Sequence, residues 1–251
     1  MNRKRVIKRI NPLFLKGIAH RGLHDDELTE NGLNAFKAAI DNNFAFELDV
    51  HLTLDNELIV CHDSELMRTT GKTGIIENLS LKDIKDNYKL LDGEDVPTLN
   101  EVLALDNERV PIVVELKVYN KNYKTLAKIT KKVLRQIKGK RNIILISFDP
   151  RALLFSSHRF IRQLLVSTNK KGELFWTFKL HPLFESLDLD YEIIALPSVR
   201  KYCKNHFVNT WTIDSKEKFD KVLPYVDTVT FQLMDNEYVR NNLANKNNKV
   251  L

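Results

Sequence analysis

Four short segments of the sequence end an apolar run on charge: Ala19-His20-Arg21-Gly22, Glu47-Leu48-Asp49, His62-Asp63 and Glu115-Leu116-Lys117. Charge at such places is expensive to bury without a purpose. Glu47 and Asp49 stand two residues apart, so on a strand both carboxylates project from one face and repel. The repulsion is relieved if one is protonated, if a cation lies between them, or if Arg21, Lys117 or Arg68 pairs with them in a salt-bridge network. Glu115 offers a third oxygen to a cation held there, and an all-oxygen set suits a hard divalent ion, Mg or Ca. His20 and His62 are the proton-transfer candidates, because imidazole titrates nearest to neutral pH. Arg21 and Lys117 suit a phosphate oxygen, Arg21 with a bidentate fork. Together these residue types suggest phosphodiester chemistry.

Such residues act together only if the chain brings several strand ends to one place. Eight short apolar runs are spaced along it: 17–20, 44–50, 112–117, 143–147, 163–167, 192–196, 207–213 and 228–231. Between most of them lie segments of helical period, at 31–42, 100–105, 123–137, 150–156, 198–205 and 216–223. Alternating strand and helix with nearly continuous apolar strands implies a parallel sheet covered by helices. Eight such units predict a closed (β/α)8 TIM barrel, whose chemistry gathers at the C-terminal strand ends. A ninth run at 57–62, a short helix near 81–88 and Pro97 make an insertion after the second strand, at about 51–110 of a single domain spanning 1–251. The competing architecture is an open doubly wound sheet, but no Gly-rich phosphate turn follows the first strand.

Composition narrows the function classes. The 251 residues carry 39 Lys+Arg against 33 Asp+Glu, a formal charge of +6, at 43% apolar content, which excludes a disordered or low-complexity chain. No apolar run approaches the roughly 18 to 20 residues of a membrane span, so stable insertion is not expected. The basic stretch 1–16 is broken by charge, Asn11 and Pro12 and makes a poor signal peptide. Cys61 and Cys203 are too few for a disulfide framework; a reducing, cytoplasmic setting fits. The densest cations, 121–141, interleave at helical spacing with Leu126, Ile129, Val133, Leu134 and Ile137, as on the solvated face of an amphipathic helix. No nucleic-acid motif accompanies them. The basic N-terminal stretch and Leu174-Phe175-Trp176 leave peripheral contact with an anionic lipid surface open. No pattern in the sequence sets the oligomeric state.

At the charged strand ends the sequence resembles the glycerophosphodiester phosphodiesterases, in a bacterial branch. The resemblance rests on His20-Arg21-Gly22, Glu30-Asn31, Glu47-Leu48-Asp49-Val50, Val60-Cys61-His62-Asp63, Leu66-Met67-Arg68-Thr69-Thr70-Gly71, Pro97-Thr98-Leu99 and Glu115-Leu116-Lys117, in that order and spacing. Ser147-Phe148-Asp149-Pro150 and Trp211-Thr212-Ile213 look like its weaker later motifs. It implies a TIM barrel that hydrolyses a small-molecule glycerophosphodiester to glycerol 3-phosphate and an alcohol. By position it makes His20 and His62 the general acid and base. It makes Glu47, Asp49 and Glu115 the ligands of the divalent cation, Arg21 and Lys117 the phosphate holders, and Trp211 part of the wall beside the glycerol or the leaving group. The alternatives are a lysophospholipase D at a membrane surface and a non-catalytic barrel that binds phosphoryl ligands. Two departures stand out. Thr29-Glu30-Asn31-Gly32 replaces the family's Pro-Glu-Asn-Thr, and Thr230-Phe231-Gln232 stands where many members carry Thr-Asp-x-Pro. His24 and Asp25 are expected at the surface.

Overall fold

The computed structural model describes residues 1–168 and 174–248. Its strands are β1 (Ile18–Ala19), β2 (Ala45–Leu52), β3 (Leu58–Val60), β4 (Ile112–Leu116), β5 (Ile143–Ser147), β6 (Ile161–Val166), β7 (Ser186–Asp190), β8 (Val208–Ile213) and β9 (Thr228–Phe231). They pair in the order β1-β9-β8-β7-β6-β5-β4-β2, and β1 also pairs with β2, so eight parallel strands close into a ring. The expected (β/α)8 TIM barrel is the fold. β3 lies outside the ring, antiparallel to the last turn of β2 with Val50 opposite Val60.

Two packed regions follow from the alternation of side chains along each strand. Phe46, Leu48 and Val50 of β2 face outward, with Val114, Leu145 and Val229, into the layer under the helices. Ala45, Val113, Ile144, Ile161, Leu165 and Phe207 fill the interior with Ile18. The basic N-terminal stretch belongs to this interior. A helix at Arg3–Ile7 and a 3-10 turn at Pro12–Lys16 bring Val6, Ile10 and Phe14 against the inner residues, closing the N-terminal end of the barrel. Its apolar residues are thus committed to the core and are not available to a lipid surface. Among the described residues, no helix is long and apolar enough to cross a membrane.

The sixth barrel strand is not where the apolar run 192–196 puts it. Tyr191–Ala195 is a 3-10 turn, and β7 is the preceding Ser186–Asp190. Ser186 and Asp188 are buried polar residues, so the strand alternates polar and apolar where a barrel strand ordinarily does not. The apolar run serves the turn instead, which buries Ile193 and Ile194.

The insertion carries β3, short helices at Met67–Thr70 and Leu81–Asn87, and its own small core of Ile59, Cys61, Leu66, Ile76, Ile84 and Val96. Ser80 and Thr98 start the helices Leu81–Asn87 and Leu99–Asp106 with reciprocal capping boxes. The lysine-rich segment forms the helix Tyr123–Val133, burying Leu126, Ala127 and Thr130 and leaving Lys124, Lys128, Lys131 and Lys132 in solvent.

Candidate active site

The three acids meet at the C-terminal end of neighbouring strands. Register places Asp49 of β2 beside Glu115 of β4, with Glu47 one inward step below. Glu47, Asp49 and Glu115 are buried, and each offers a carboxylate oxygen within 4.8 Å of the others. Burial, then Asp49 and Glu115, pushes the Glu47 carboxyl well above the usual range. Burial also lifts Glu115 to about 7, with Asp49 adding to it and Lys117 opposing it. Asp49 goes the other way: Lys117 and Arg21 outweigh its burial and hold it ionised. Its Oδ1 has no hydrogen-bond partner among the described residues. Three clustered carboxylate oxygens, with Glu47 and Glu115 raised chiefly by burial, fit a hard divalent cation.

Of the three forms of relief open to the sequence, ion pairing is present at the triad. Lys117 Nζ lies 3.0 Å from Glu115 and 3.5 Å from Asp49, and Arg21 Nε lies 3.4 Å from Asp49. Burial works against the Lys117 ammonium, but Asp49 and Glu115 keep it charged. Arg68 does not reach the triad. It pairs with Glu30 and Asp63, and Glu30 in turn holds Arg21 at 2.8 Å.

The backbone that presents Arg21 is tightly determined. Arg21 sits at φ 54° and its amide donates to Glu47 Oε2 at 3.1 Å. Gly22 follows at φ +84°, where a Cβ would stand 2.7 Å from the Ala35 backbone, so only glycine fits. Despite the altered helix entry, Asn31 reaches Asp49 Oδ2 at 3.0 Å, and Gly32 N-caps the helix Leu33–Asp41 without a side-chain bond.

The two histidines flank the acids in different settings. His20 Nδ1 lies 2.5 Å from Gln232 Oε1. Since an amide oxygen only accepts, Nδ1 carries the proton and Nε2 is left as the basic nitrogen. Burial, then Arg21, lowers His20 to about 3. His62 Nδ1 lies 2.7 Å from Asp63, whose other oxygen takes Arg68 at 2.6 Å. Burial lowers His62 as well, with Asp49 and Asp63 working against it. Sequence reasoning missed Gln232, which lies 212 residues from its partner. It also missed His51, which is buried against Glu77 at 2.7 Å and lies 3.1 Å from the His62 carbonyl. His24, expected at the surface, is half-buried beside Gln232, whereas Asp25 is exposed.

Two cavities open from the site. A small chamber of about 80 Å³ is lined by His20, Arg21, Glu47, His62, Glu115, Phe148, Asp188 and Trp211, among others. A groove of about 930 Å³ runs from His62, Glu115 and Lys117 past Phe148 to Phe175 and Trp176. Trp211 packs edge-on against Phe148 at 5.5 Å and lines the small chamber. Asp149 caps the helix Pro150–Phe155 and thereby sets the turn that carries Phe148.

A parallel barrel with acids, cations and two histidines at its C-terminal end defines a hydrolase-type site for an anionic substrate. Residues 20–179 match the model of the glycerophosphoryl diester phosphodiesterase family, and the chain belongs to that family of enzymes. It is 29% identical over 224 residues to a glycerophosphodiester phosphodiesterase of Caldanaerobacter subterraneus subsp. tengcongensis, across 82% of this chain and 88% of that one. Its structure is similar to that of a glycerophosphodiester phosphodiesterase from Parabacteroides distasonis, with TM-score 0.77 and 26% identity over 92% of this chain and 97% of that one. A phosphodiesterase of Oleispira antarctica, solved with its product sn-glycerol-3-phosphate, shares the fold with TM-score 0.76 and 21% identity over 92% of this chain and 96% of that one.

Proposed function

We propose that the enzyme hydrolyses glycerophosphodiesters to glycerol 3-phosphate and an alcohol, with Glu47, Asp49 and Glu115 holding a divalent cation. The observation that carries this reading is the buried carboxylate triad flanked by His20 and His62 with Arg21 and Lys117 between. Held by Glu47, Asp49 and Glu115, a divalent cation would supply Lewis-acid stabilisation of negative charge on the phosphoryl oxygens. Arg21 and Lys117, already held at the triad by their ion pairs, turn toward those oxygens and share that charge. His20, kept neutral with Nε2 unprotonated, takes the proton of the attacking hydroxyl. His62, favoured in its doubly protonated form by Asp49 and Asp63 against its burial, keeps Nδ1–H on Asp63 and gives its Nε2 proton to the leaving alkoxide. The small chamber suits the glycerol portion, and the open groove suits alcohols of varied size. Attack by the substrate's own neighbouring hydroxyl, forming a cyclic phosphate first, has the entropic advantage of an intramolecular step.

The test is release of glycerol 3-phosphate from glycerophosphocholine. Activity should be lost with EDTA and restored by Mg or Ca, and His62→Ala should lower kcat by roughly 10² to 10⁴. Turnover indifferent to both changes would overturn the mechanism. A second reading, lysophospholipase D, is favoured by Phe175 and Trp176, which are 39% and 59% exposed beside the groove. Choline release from lysophosphatidylcholine at a rate comparable with that from glycerophosphocholine would support it. The basic N-terminal stretch lends it nothing, because it packs at the opposite end of the barrel.

A further inference from the structure

The small chamber has a chemical asymmetry that the phosphoryl chemistry does not use. Asp188 lines it from β7 and is 1% exposed. Its Oδ2 accepts from Asn209 Nδ2 at 2.9 Å, and Asn209 also donates to Thr230 Oγ1 at 2.8 Å, so the carboxyl is held in one orientation. Its Oδ1 is buried and has no hydrogen-bond partner among the described residues. Trp211, on the adjacent strand and also lining the chamber, has a buried Nε1 in the same condition.

Buried polar atoms are nearly always paired, and an unpaired one in a cavity wall marks a place where something else supplies the partner. The two atoms are complementary in kind. An indole N–H only donates, whereas the Asp188 carboxyl, which burial pushes up to about 8, still offers an oxygen that accepts. A small neutral group that both donates and accepts satisfies the pair, and the simplest is an aliphatic hydroxyl. The chamber is about the size of a three-carbon polyol, and it also contains His20 and Glu47, so a group seated there stays next to the phosphoryl site.

We infer that Asp188, with Trp211 Nε1, is a specificity-determining pair that recognises a hydroxyl of the glycerol portion of the substrate. The inference rests on the phosphodiesterase reading above and deepens it. A site built to hydrogen-bond a hydroxyl rejects the analogue lacking it, because the wall atoms are then stranded. Asp188 is thus the residue that separates glycerol phosphates from simple alkyl phosphates.

The test is calorimetric binding of glycerol 3-phosphate and of n-propyl phosphate, which matches it in carbon count but has no hydroxyl, with Mg present. The wild-type protein should favour glycerol 3-phosphate by roughly tenfold or more. In Asp188→Ala that preference should fall to about twofold or less, while n-propyl phosphate binds about as before. Should that variant not fold, Trp211→Phe keeps the ring, removes Nε1 and should narrow the preference several-fold. A preference unchanged in a folded variant would overturn the inference and assign Oδ1 to a bound water only. Failure of the underlying reading is separate: the wild-type protein would then release no glycerol 3-phosphate from glycerophosphocholine.

Discussion

Replacing Glu115 by glutamine should make the metal-free protein more stable at alkaline pH while removing one of the proposed cation ligands. Glu115 is 8% exposed, and burial beside Asp49 raises its carboxyl from 4.5 to about 7 despite Lys117. A raised carboxyl means that the native state holds its proton more tightly than the unfolded chain. Its contribution is therefore most favourable below pH 4.5. It is lost as pH rises through 7, beyond which both states are ionised. The interval of 7 − 4.5 = 2.5 pH units, at about 1.4 kcal/mol per unit, corresponds to roughly 3 kcal/mol. The amide in Glu115→Gln does not titrate and escapes this loss. His20, lowered to about 3, has the opposite slope below 6.5, but it is present in both proteins and cancels in their difference. Urea denaturation in EDTA at pH 4.5 and at about pH 8 measures that difference. The stability of Glu115→Gln relative to the wild-type protein should rise by about 3 kcal/mol between the two. Adding a divalent cation at about 100 times its Kd should then restore roughly 2.7 kcal/mol to the wild-type protein and less to the variant. A relative stability that does not change with pH would refute the idea that burial beside Asp49 raises the Glu115 carboxyl.

Gln232→Leu removes the acceptor that orients His20, and kcat should fall roughly tenfold or more with KM within about twofold, measured on glycerophosphocholine. Phe14→Ala empties the seal at the N-terminal end of the barrel, where Phe14 is fully buried; it should cost about 3 to 5 kcal/mol in urea denaturation and leave KM unchanged.

The parts of the fold legible in the sequence were those whose burial matches a simple period. β4 and β5, IVVEL and IILIS, are apolar nearly throughout because both faces are covered, and the lysine-rich helix shows its 3.6-residue stripe. β7 was illegible because its inward side chains are polar. The terminal helix Asn236–Asn248 escaped for a related reason. Among its described residues it buries Val239, Leu243 and Asn247 amid many asparagines, so no apolar stripe shows. In the site, His20, Arg21, Glu47, Asp49, His62, Glu115 and Lys117 could be selected by type and strand-end position. The contacts that orient them could not: Gln232 and Asp188 acquire meaning only through neighbours brought in by barrel closure. Glu30, by contrast, kept its place beside Arg21 although the residue two positions before Asn31 is Thr29 and not proline.

The seal at the bottom of the barrel and the first strand are both completed by the end of the chain. Arg3 pairs with Asp227 at 2.5 Å, Thr228 Oγ1 donates to the Phe14 carbonyl at 2.5 Å, and Asn247 donates to the Leu15 carbonyl at 3.1 Å. The His20 amide itself donates to the Phe231 carbonyl at 2.8 Å. The first catalytic candidate in the sequence thus depends on a partner, Gln232, that stands 212 residues later. Contacts of such separation raise the contact order of the fold, which slows folding. Both described contacts that hold His20, the Phe231 carbonyl and Gln232, therefore come with β9, so closing the ring and placing the proposed base are one event.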